Sequence, residues 1–351
     1  MSGRLVVLES FKEPSSTTNP YIVMLARRLA AQPGVELRTF TWRAALLGRF
    51  DVFHVHWPEV LLRGPSRLKT ARRRLLFAIL LIRLAVAHKP VIRTRHNLAP
   101  HDGVGRTESV LMGLLDRLTT SWIEINDTGS EEPGPRPTWV VRHGHYRDWF
   151  APYPKPPAVP GRLSLFGLLK PYKGVDTLIA AFRGAAAADP DLSLRVAGRT
   201  ASEAFGAELR ELAAGQDRIE LALEYIDDAE LVRLIGESEL VVFPYRSMYN
   251  SGGVLAALSL ARPVLVPENA VNSCLADEVG PGWVNTYRGE LTAGDLARAL
   301  ASVRDERPAG EPDLTSREWA AAGPAHVEIF RSSLAGRRAR LRLPRAVRRA
   351  S

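Results

Sequence analysis

A single cysteine, Cys274, stands in 351 residues. A lone thiol excludes an intramolecular disulfide and a cysteine-rich metal site, and it points to a reducing compartment in which Cys274 is expected as a buried free thiol. Long apolar runs are missing as well. The N-terminal MSGRLVVLES has no stretch of the kind a secretory leader uses, so none is expected. The richest apolar segment, LLFAILLIRLAVA from Leu75 to Ala87, is too short and too interrupted by Arg83 to cross a bilayer. Acid is absent from two further stretches. Val60 to His101 carries ten Lys and Arg without one Asp or Glu, and Ile329 to the end carries eight arginines, again without acid. Removing those cations from the net charge of +9 leaves −9, so the remainder is an acidic body bearing two basic patches. Such patches face polyanions. Neither aromatic interleaving nor a nucleic-acid motif accompanies them, which puts nucleic acid behind anionic lipid. A basic-flanked apolar helix reads as a membrane-surface element, or else as a core helix with a solvated basic end.

What is present is ordinary for an enzyme. Apolar residues make up 46% and charged residues 24%, a globular balance, and the length suggests two domains. Strand-like runs (RLVVLES, VELRTF, DVFHVHW, PVIRTRHN, SWIEIND, TWVVRHG) alternate with helical ones through the first half. Asn19 and Pro20 suit a helix start. After the proline-rich YPKPPAVPGR, Tyr153 to Arg162, which reads as a linker, the alternation restarts with LSLFGLL, LSLRVAG, IELALEYI, LVVFPY and PVLVP. Alternation of this kind predicts parallel βαβ units and doubly wound sheets, which bind ligands at the carboxyl ends of their strands.

Two segments concentrate the chemistry. Leu163 to Phe182, LSLFGLLKPYKGVDTLIAAF, and Phe243 to Pro267, FPYRSMYNSGGVLAALSLARPVLVP, each read as strand, glycine-bearing loop and helix. Together they offer two lysines, Lys170 and Lys173, and helix-start N–H groups at Ser251, Gly252 and Gly253, which suit a diphosphate. The bland alternatives are solvated loop lysines and a plain glycine-rich helix start.

These two segments resemble the nucleotide-sugar half of a GT-B glycosyltransferase of the family-4-like group. The resemblance implies an α/β fold of two Rossmann-like domains facing each other across a cleft: an acceptor domain over 1–152, a donor domain over 153–315, a helix over 316–334 returning to the first domain, and a disordered basic tail over 335–351. It places Gly167, Lys170, Lys173, Ser251, Gly252 and Gly253 on the donor diphosphate, where cations and N–H groups would hold the leaving-group charge. Asn19, His143, Tyr146, Tyr249 and Asn250 are the further donor or acceptor contacts. Retaining members carry two glutamates around the second loop; counted back from Arg262 and Pro263, those positions are Met248 and Ala256 here. KPYKG with NSGGVLAALSLARPVL is similar instead to bacterial GDP-mannose:glycolipid β-mannosyltransferases of exopolysaccharide assembly.

An inverting transfer needs a base in the acceptor domain. Asp102 in HNLAPHDG and Glu59 in HWPE are the carboxylate candidates, with His96 and His101 as alternatives for the base or for orienting the sugar. Neither helical HExxH spacing nor a cleft-facing DxD pair is present, so neither a metal nor another cofactor is expected; Asp227 and Asp228 read as a helix cap. The expected activity is hexosyl transfer, mannose first, from a nucleotide diphosphate sugar such as GDP-mannose to a lipid-linked or other glycan acceptor. The expected place is the cytoplasm, peripheral to the inner face of an anionic membrane. The competing reading is a non-catalytic GT-B protein that binds nucleotide or glycan for a partner.

Overall fold

The computed structural model describes residues 4–97, 105–128, 136–306, 308 and 310–342, the side chains of 337–342 excepted. The chain divides into two compact units, residues 1–144 with 317–351, and residues 145–316.

Unit 1 opens with β1 (Leu5–Glu9), α1 (Pro20–Ala30), β2 (Val35–Arg38), α2 (Trp42–Leu47) and β3 (Val52–Val55). There follow α3 (Glu59–Leu62), α4 (Arg67–Val86), β4 (Val91–Arg95), α5 (Arg106–Leu118), β5 (Thr119–Glu124) and β6 (Thr138–Val140). The six strands form one parallel sheet in the order β2-β1-β3-β4-β5-β6, so the winding reverses between β1 and β3. Alternation sorts the side chains of β3. Phe53 and Val55 join Phe77, Leu80 and Leu84 of α4 in the core on one face, while His54 points to the other. Local chemistry fixes the helix starts: the Asn19 side chain accepts from the Tyr21 N–H at 3.0 Å with Pro20 in the first turn, and Ser66 caps α4.

Unit 2 runs through α6 (Arg147–Phe150), β7 (Arg162–Phe166), α7 (Val175–Ala188), β8 (Ser193–Ala197), α8 (Glu203–Ala213), β9 (Ile219–Ala222), α9 (Asp228–Glu237) and β10 (Leu240–Val242). It closes with α10 (Gly252–Ser259), β11 (Val264–Pro267), α11 (Ala270–Val279), β12 (Val284–Tyr287) and α12 (Ala293–Asp305). Its parallel sheet, β12-β11-β10-β7-β8-β9, reverses between β7 and β10. The proline-rich run is strapped onto this unit: Lys155 Nζ donates to the Leu260 carbonyl at 3.1 Å and Arg262 to that of Pro156 at 3.2 Å. Asp227 caps α9 by accepting from the Glu230 N–H at 2.9 Å. Cys274 corrects its expectation, for it is exposed. The buried residues of α11 are Asn272, Leu275 and Val279, and helical spacing puts position 274 off that face.

The chain then returns to unit 1 as α13 (Trp319–Arg342), which packs along α1. Its Ser333 hydroxyl meets that of Ser121 on β5 at 2.8 Å, in the interior. The helix continues past the expected end at 334 and runs through Gly336, because the surrounding Arg, Ala and Leu are strong helix formers.

Candidate active site

In unit 2 the two glycine-bearing loops follow β7 and β10, the strands at which the winding reverses. That is where an open parallel sheet leaves room for a ligand. The loops are fitted to one another. Gly174 has φ +64° and a Cβ there would lie 2.1 Å from the Pro244 carbonyl oxygen, so only glycine fits. The Arg246 N–H donates to the Tyr172 carbonyl at 2.8 Å, and the Arg246 guanidinium pairs with Asp176. Lys173 Nζ lies 5.1 Å from the centre of the Tyr245 ring and against Gly167, whose φ of +107° turns the chain beneath it. Lys170 and Lys173 are both half-buried. Ser251 caps α10, its Oγ accepting from the Val254 N–H at 3.3 Å, and Gly252 and Gly253 form the first turn. A Cβ on Gly253 would meet the Phe243 ring at 2.9 Å, so the small residue lets the helix start against the strand end. Tyr249 is buried and Asn250 half-buried in the same loop. Met248 is held by two amides, Asn269 Nδ2 on its carbonyl at 3.1 Å and Asn272 Nδ2 on its sulfur at 3.2 Å. Ala256 is buried inside α10.

In unit 1 the reversal point carries a polar cluster instead. Glu9, His54 and His56, and Thr94 and His96 come from the ends of β1, β3 and β4, which are neighbours in the sheet. Their alternate numbering puts all five on one face. His54 Nδ1 is 3.1 Å from Glu9 Oε1 and its Nε2 is 2.8 Å from Thr94 Oγ1. His56 Nε2 is 3.4 Å from Glu9 Oε2, and His56 Nδ1 is 3.0 Å from His96 Nε2. The His96 ring stacks on Trp57 with centroids 3.9 Å apart, and Tyr21 presents an edge to it at 5.3 Å. His143 lies beside Tyr21 at 4.5 Å, with its Nδ1 2.8 Å from the Gly144 carbonyl. His326 and Phe330 of α13 close the cluster over His54, at 5.4 and 5.1 Å.

Burial dominates the electrostatics here. It pushes His54 and His326 down to about 3 and His56 and His143 down to about 4, and holds His96 well below its usual value. Burial also raises the Glu9 carboxyl, against the opposing pull of His56. The imidazoles are therefore neutral at pH 7. One oxygen or nitrogen from each of Glu9, His54 and His56 lies within 4.8 Å of the others, compact enough to share a cation. His54 bonds to Glu9 and Thr94 and His56 bonds to His96, whereas Glu9 Oε2 and His56 Nε2 approach only to 3.4 Å and each lacks a hydrogen-bond partner among the described residues.

Of the residues singled out from sequence, the structure brings His96 into this cluster and His143 to its edge. Glu59 stands apart, at the start of α3 on the opposite sheet face, where burial raises its carboxyl while Arg93 and Arg63 lower it. Asn19 is exposed and serves as the cap of α1. Tyr146 belongs to unit 2, where it is buried and its N–H donates to Ser259 Oγ at 2.8 Å. Asp102 and His101 lie outside the described residues. Sequence reasoning missed Glu9, His54 and His56. The available signal was the alternation HVH on one strand and TRH on the next.

The basic stretch is largely spoken for. Arg63 and Arg74 pair with buried Glu108, Arg73 and Arg83 donate to backbone carbonyls, and Arg93 and Arg95 lie over the Trp122 ring, paired with Asp116 and Glu124. Arg67, Lys69 and Arg72 are exposed at the start of α4. The same helix shows Leu68, Leu75, Ile79, Ile82 and Val86 to solvent, and helical spacing puts these on one face. Val110 and Leu114 of α5, which packs beside α4, are exposed too. Among the described residues no helix is long and apolar enough to cross a membrane.

Comparison with known proteins agrees with this architecture. A family model described as glycosyl transferases group 1 matches residues 161–303. A protein of Xanthomonas campestris pv. campestris named GDP-mannose:glycolipid 4-beta-D-mannosyltransferase is 45% identical over 334 residues, covering 94% of this chain and 93% of its own. Among solved structures, Anabaena Alr3699/HepE in complex with UDP and glucose aligns with a TM-score of 0.58 at 15% identity, over 94% of this chain and 95% of that one. The catalytic domain of starch synthase IV from Arabidopsis thaliana, bound to ADP and acarbose, aligns with a TM-score of 0.62 at 11% identity, over 95% and 100%. Those two likenesses concern the GT-B fold.

Proposed function

Since the chain belongs to the group 1 glycosyltransferases, we propose that it transfers mannose from GDP-mannose to a glycolipid acceptor, inverting the anomeric centre. The observation that carries this reading is the 45% identity that runs through 94% of the chain and so includes both units. The β linkage in that relative's name, set against the α-linked donor, supplies the inversion. Met248 and Ala256, where retaining relatives are expected to carry glutamates, support it.

In this reading unit 2 holds the donor. The acceptor oxygen attacks the anomeric carbon as the bond to the diphosphate breaks, and the electron pair leaves on GDP. Lys170 and Lys173, with the N–H groups of Gly252, Gly253 and the Ser251 cap region, neutralise the growing phosphate charge. The glycolipid reaches the protein at an anionic membrane surface. The exposed stripe from Leu68 to Val86 enters the headgroup layer and Arg67, Lys69 and Arg72 meet lipid phosphates, each cation contributing about 1 kcal/mol.

A thermal-shift panel of GDP-mannose, GDP, UDP-glucose and ADP-glucose tests the donor, because a ligand that binds only the folded state raises its melting temperature. GDP-mannose and GDP should stabilise the protein and the others should not. An assay with a polyprenyl-diphosphate-linked oligosaccharide then tests transfer. Stabilisation by a uridine or adenine donor alone would sink the assignment.

A further inference from the structure

We propose that Glu9, His56 and His96 form a proton relay for this transfer, with His96 Nδ1 as the base that takes the proton of the acceptor hydroxyl. The inference rests on the transfer reading and deepens it, since it names the catalytic group. Geometry and donor chemistry fix the direction. His56 Nε2 and Glu9 Oε2 are 3.4 Å apart and neither has a hydrogen-bond partner among the described residues; since a carboxylate only accepts, the proton between them is the His56 Nε2–H. That leaves His56 Nδ1 bare. The bare nitrogen accepts from His96 Nε2–H across 3.0 Å, and the His96 lone pair is left on Nδ1. Glu9 has to start as the carboxylate, because a Glu9 already carrying an acid hydrogen toward His54 Nδ1 at 3.1 Å has no room for the relayed proton.

Position supports the same reading. The three residues end neighbouring strands at the point where the winding reverses, where sheets of this kind place ligands. Exposure rises outward along the chain, from 0% at Glu9 and 1% at His56 to 9% at His96. Trp57 and Tyr21 hold the His96 ring in place by stacking and edge contact. A purely structural site has no need of this arrangement. The opposite face of the same strand end is filled by Phe53 and Val55, at no cost in buried polar groups.

The step balances. As the acceptor oxygen bonds to the anomeric carbon, its proton passes to His96 Nδ1, the Nε2 proton of His96 passes to His56 Nδ1, and the Nε2 proton of His56 passes to Glu9. Both imidazoles end neutral, Glu9 ends as the acid, and GDP leaves with the electron pair. Burial, which already raises the Glu9 carboxyl, makes it a fit place to store that proton. The titratable groups facing the relay are Tyr21, whose ring lies edge-on to both imidazoles, and His54, His143 and His326, these three neutral at pH 7; the Arg317 guanidinium donates to the His143 carbonyl at 3.3 Å.

The full chain, assayed with GDP-mannose and a glycolipid acceptor, tests this. His96→Asn, with His96→Gln as a second variant in case the first unfolds, should lower kcat by about 10²-fold or more while the Kd for GDP stays unchanged. Free imidazole should restore part of the activity of His96→Gly. Glu9→Gln removes the charge that favours protonated His56, so the acid limb of the pH–rate profile should move to lower pH as kcat falls by about tenfold. A kcat within about threefold of wild type in both His96 variants would overturn the relay. So would loss of GDP affinity in parallel with kcat, which marks a structural role, or a product of retained configuration. Wild-type protein that binds GDP-mannose but transfers nothing would instead overturn the transfer reading itself, and the relay with it.

Discussion

His56 Nδ1 lies 3.0 Å from His96 Nε2, joining the ends of two neighbouring parallel strands whose residues are 40 positions apart in the chain. That contact lies within a group of strand-end imidazoles whose shared burial sets much of the protein's behaviour toward pH.

Stability should fall in acid. His54, His56, His143 and His326 have folded-state values of about 3 to 4, well under the ordinary histidine value of 6.5. A depressed value means that the unfolded chain binds protons which the folded chain refuses. Their contribution is whole above pH 6.5 and declines as pH falls from there toward 4, each histidine adding up to about 1.4 kcal/mol per pH unit. Glu9, shifted upward, offsets part of this as it protonates. Urea midpoints measured from pH 8 to pH 5 should drop steeply below 6.5; a flat profile would contradict a buried neutral cluster.

The loop proposed to hold the donor makes a separate prediction. Lys170→Ala and Lys173→Ala should each lower kcat by about 10²-fold, the order seen when one stabilising donor is removed from a transition state. Thermal midpoints should hardly move, since both side chains are half-buried in a loop. Full activity in the double variant would displace the diphosphate from this loop.

Metal removal should leave transfer intact. In unit 2 the leaving-group charge is assigned to lysines and helix N–H groups, and in unit 1 Glu9 Oε1 is taken up by His54 Nδ1 at 3.1 Å. Dialysis against EDTA, followed by the same assay with and without Mg²⁺, Mn²⁺ or Zn²⁺, checks it. Loss that a divalent ion restores would make those three residues ligands.

Membrane attachment should depend on the apolar stripe more than on total charge. Leu75→Glu with Ile82→Glu, both exposed on α4, should abolish cosedimentation with anionic liposomes and spare activity on a soluble acceptor. Neutral liposomes should bind weakly, and added salt should weaken the anionic arm. Equal recovery with both vesicle types in wild type would argue against the basic residues.

How much of this was legible beforehand depended on distance along the chain. The paired loops of unit 2 were readable because FGLLKPYKG and NSGG are local: each is a strand end, a turn and a helix start within a few residues. The histidine side was not, since Glu9 and His54 are 45 residues apart and Thr94 is 40 beyond His54. Only the sheet order makes them neighbours. Alternation placed His54 opposite Phe53, yet nothing local said that the two faces would differ so sharply in polarity. The basic stretch misled in part because charge is counted in sequence whereas pairing is decided in space; Glu108, from a distant helix, takes up Arg63 and Arg74. Glu59 looked suitable from its place after a strand, but α3 carries it to the face of Arg93.

The return of the chain to unit 1 through α13 bears on how this protein is born. Unit 2 is one uninterrupted segment and can collapse as soon as residues 145–316 have left the ribosome. Unit 1 cannot. Its six strands emerge early, but the residues that cover their histidine-bearing face, His326, Phe330 and Ser333, are translated only after the whole of unit 2. Throughout synthesis of the second unit, that half-built sheet stands open and exposed to mispairing. The segment that follows unit 2 therefore serves as a completion signal, and a nascent chain that stops before Trp319 is left with an unfinished first unit and should be a substrate for chaperones and proteases.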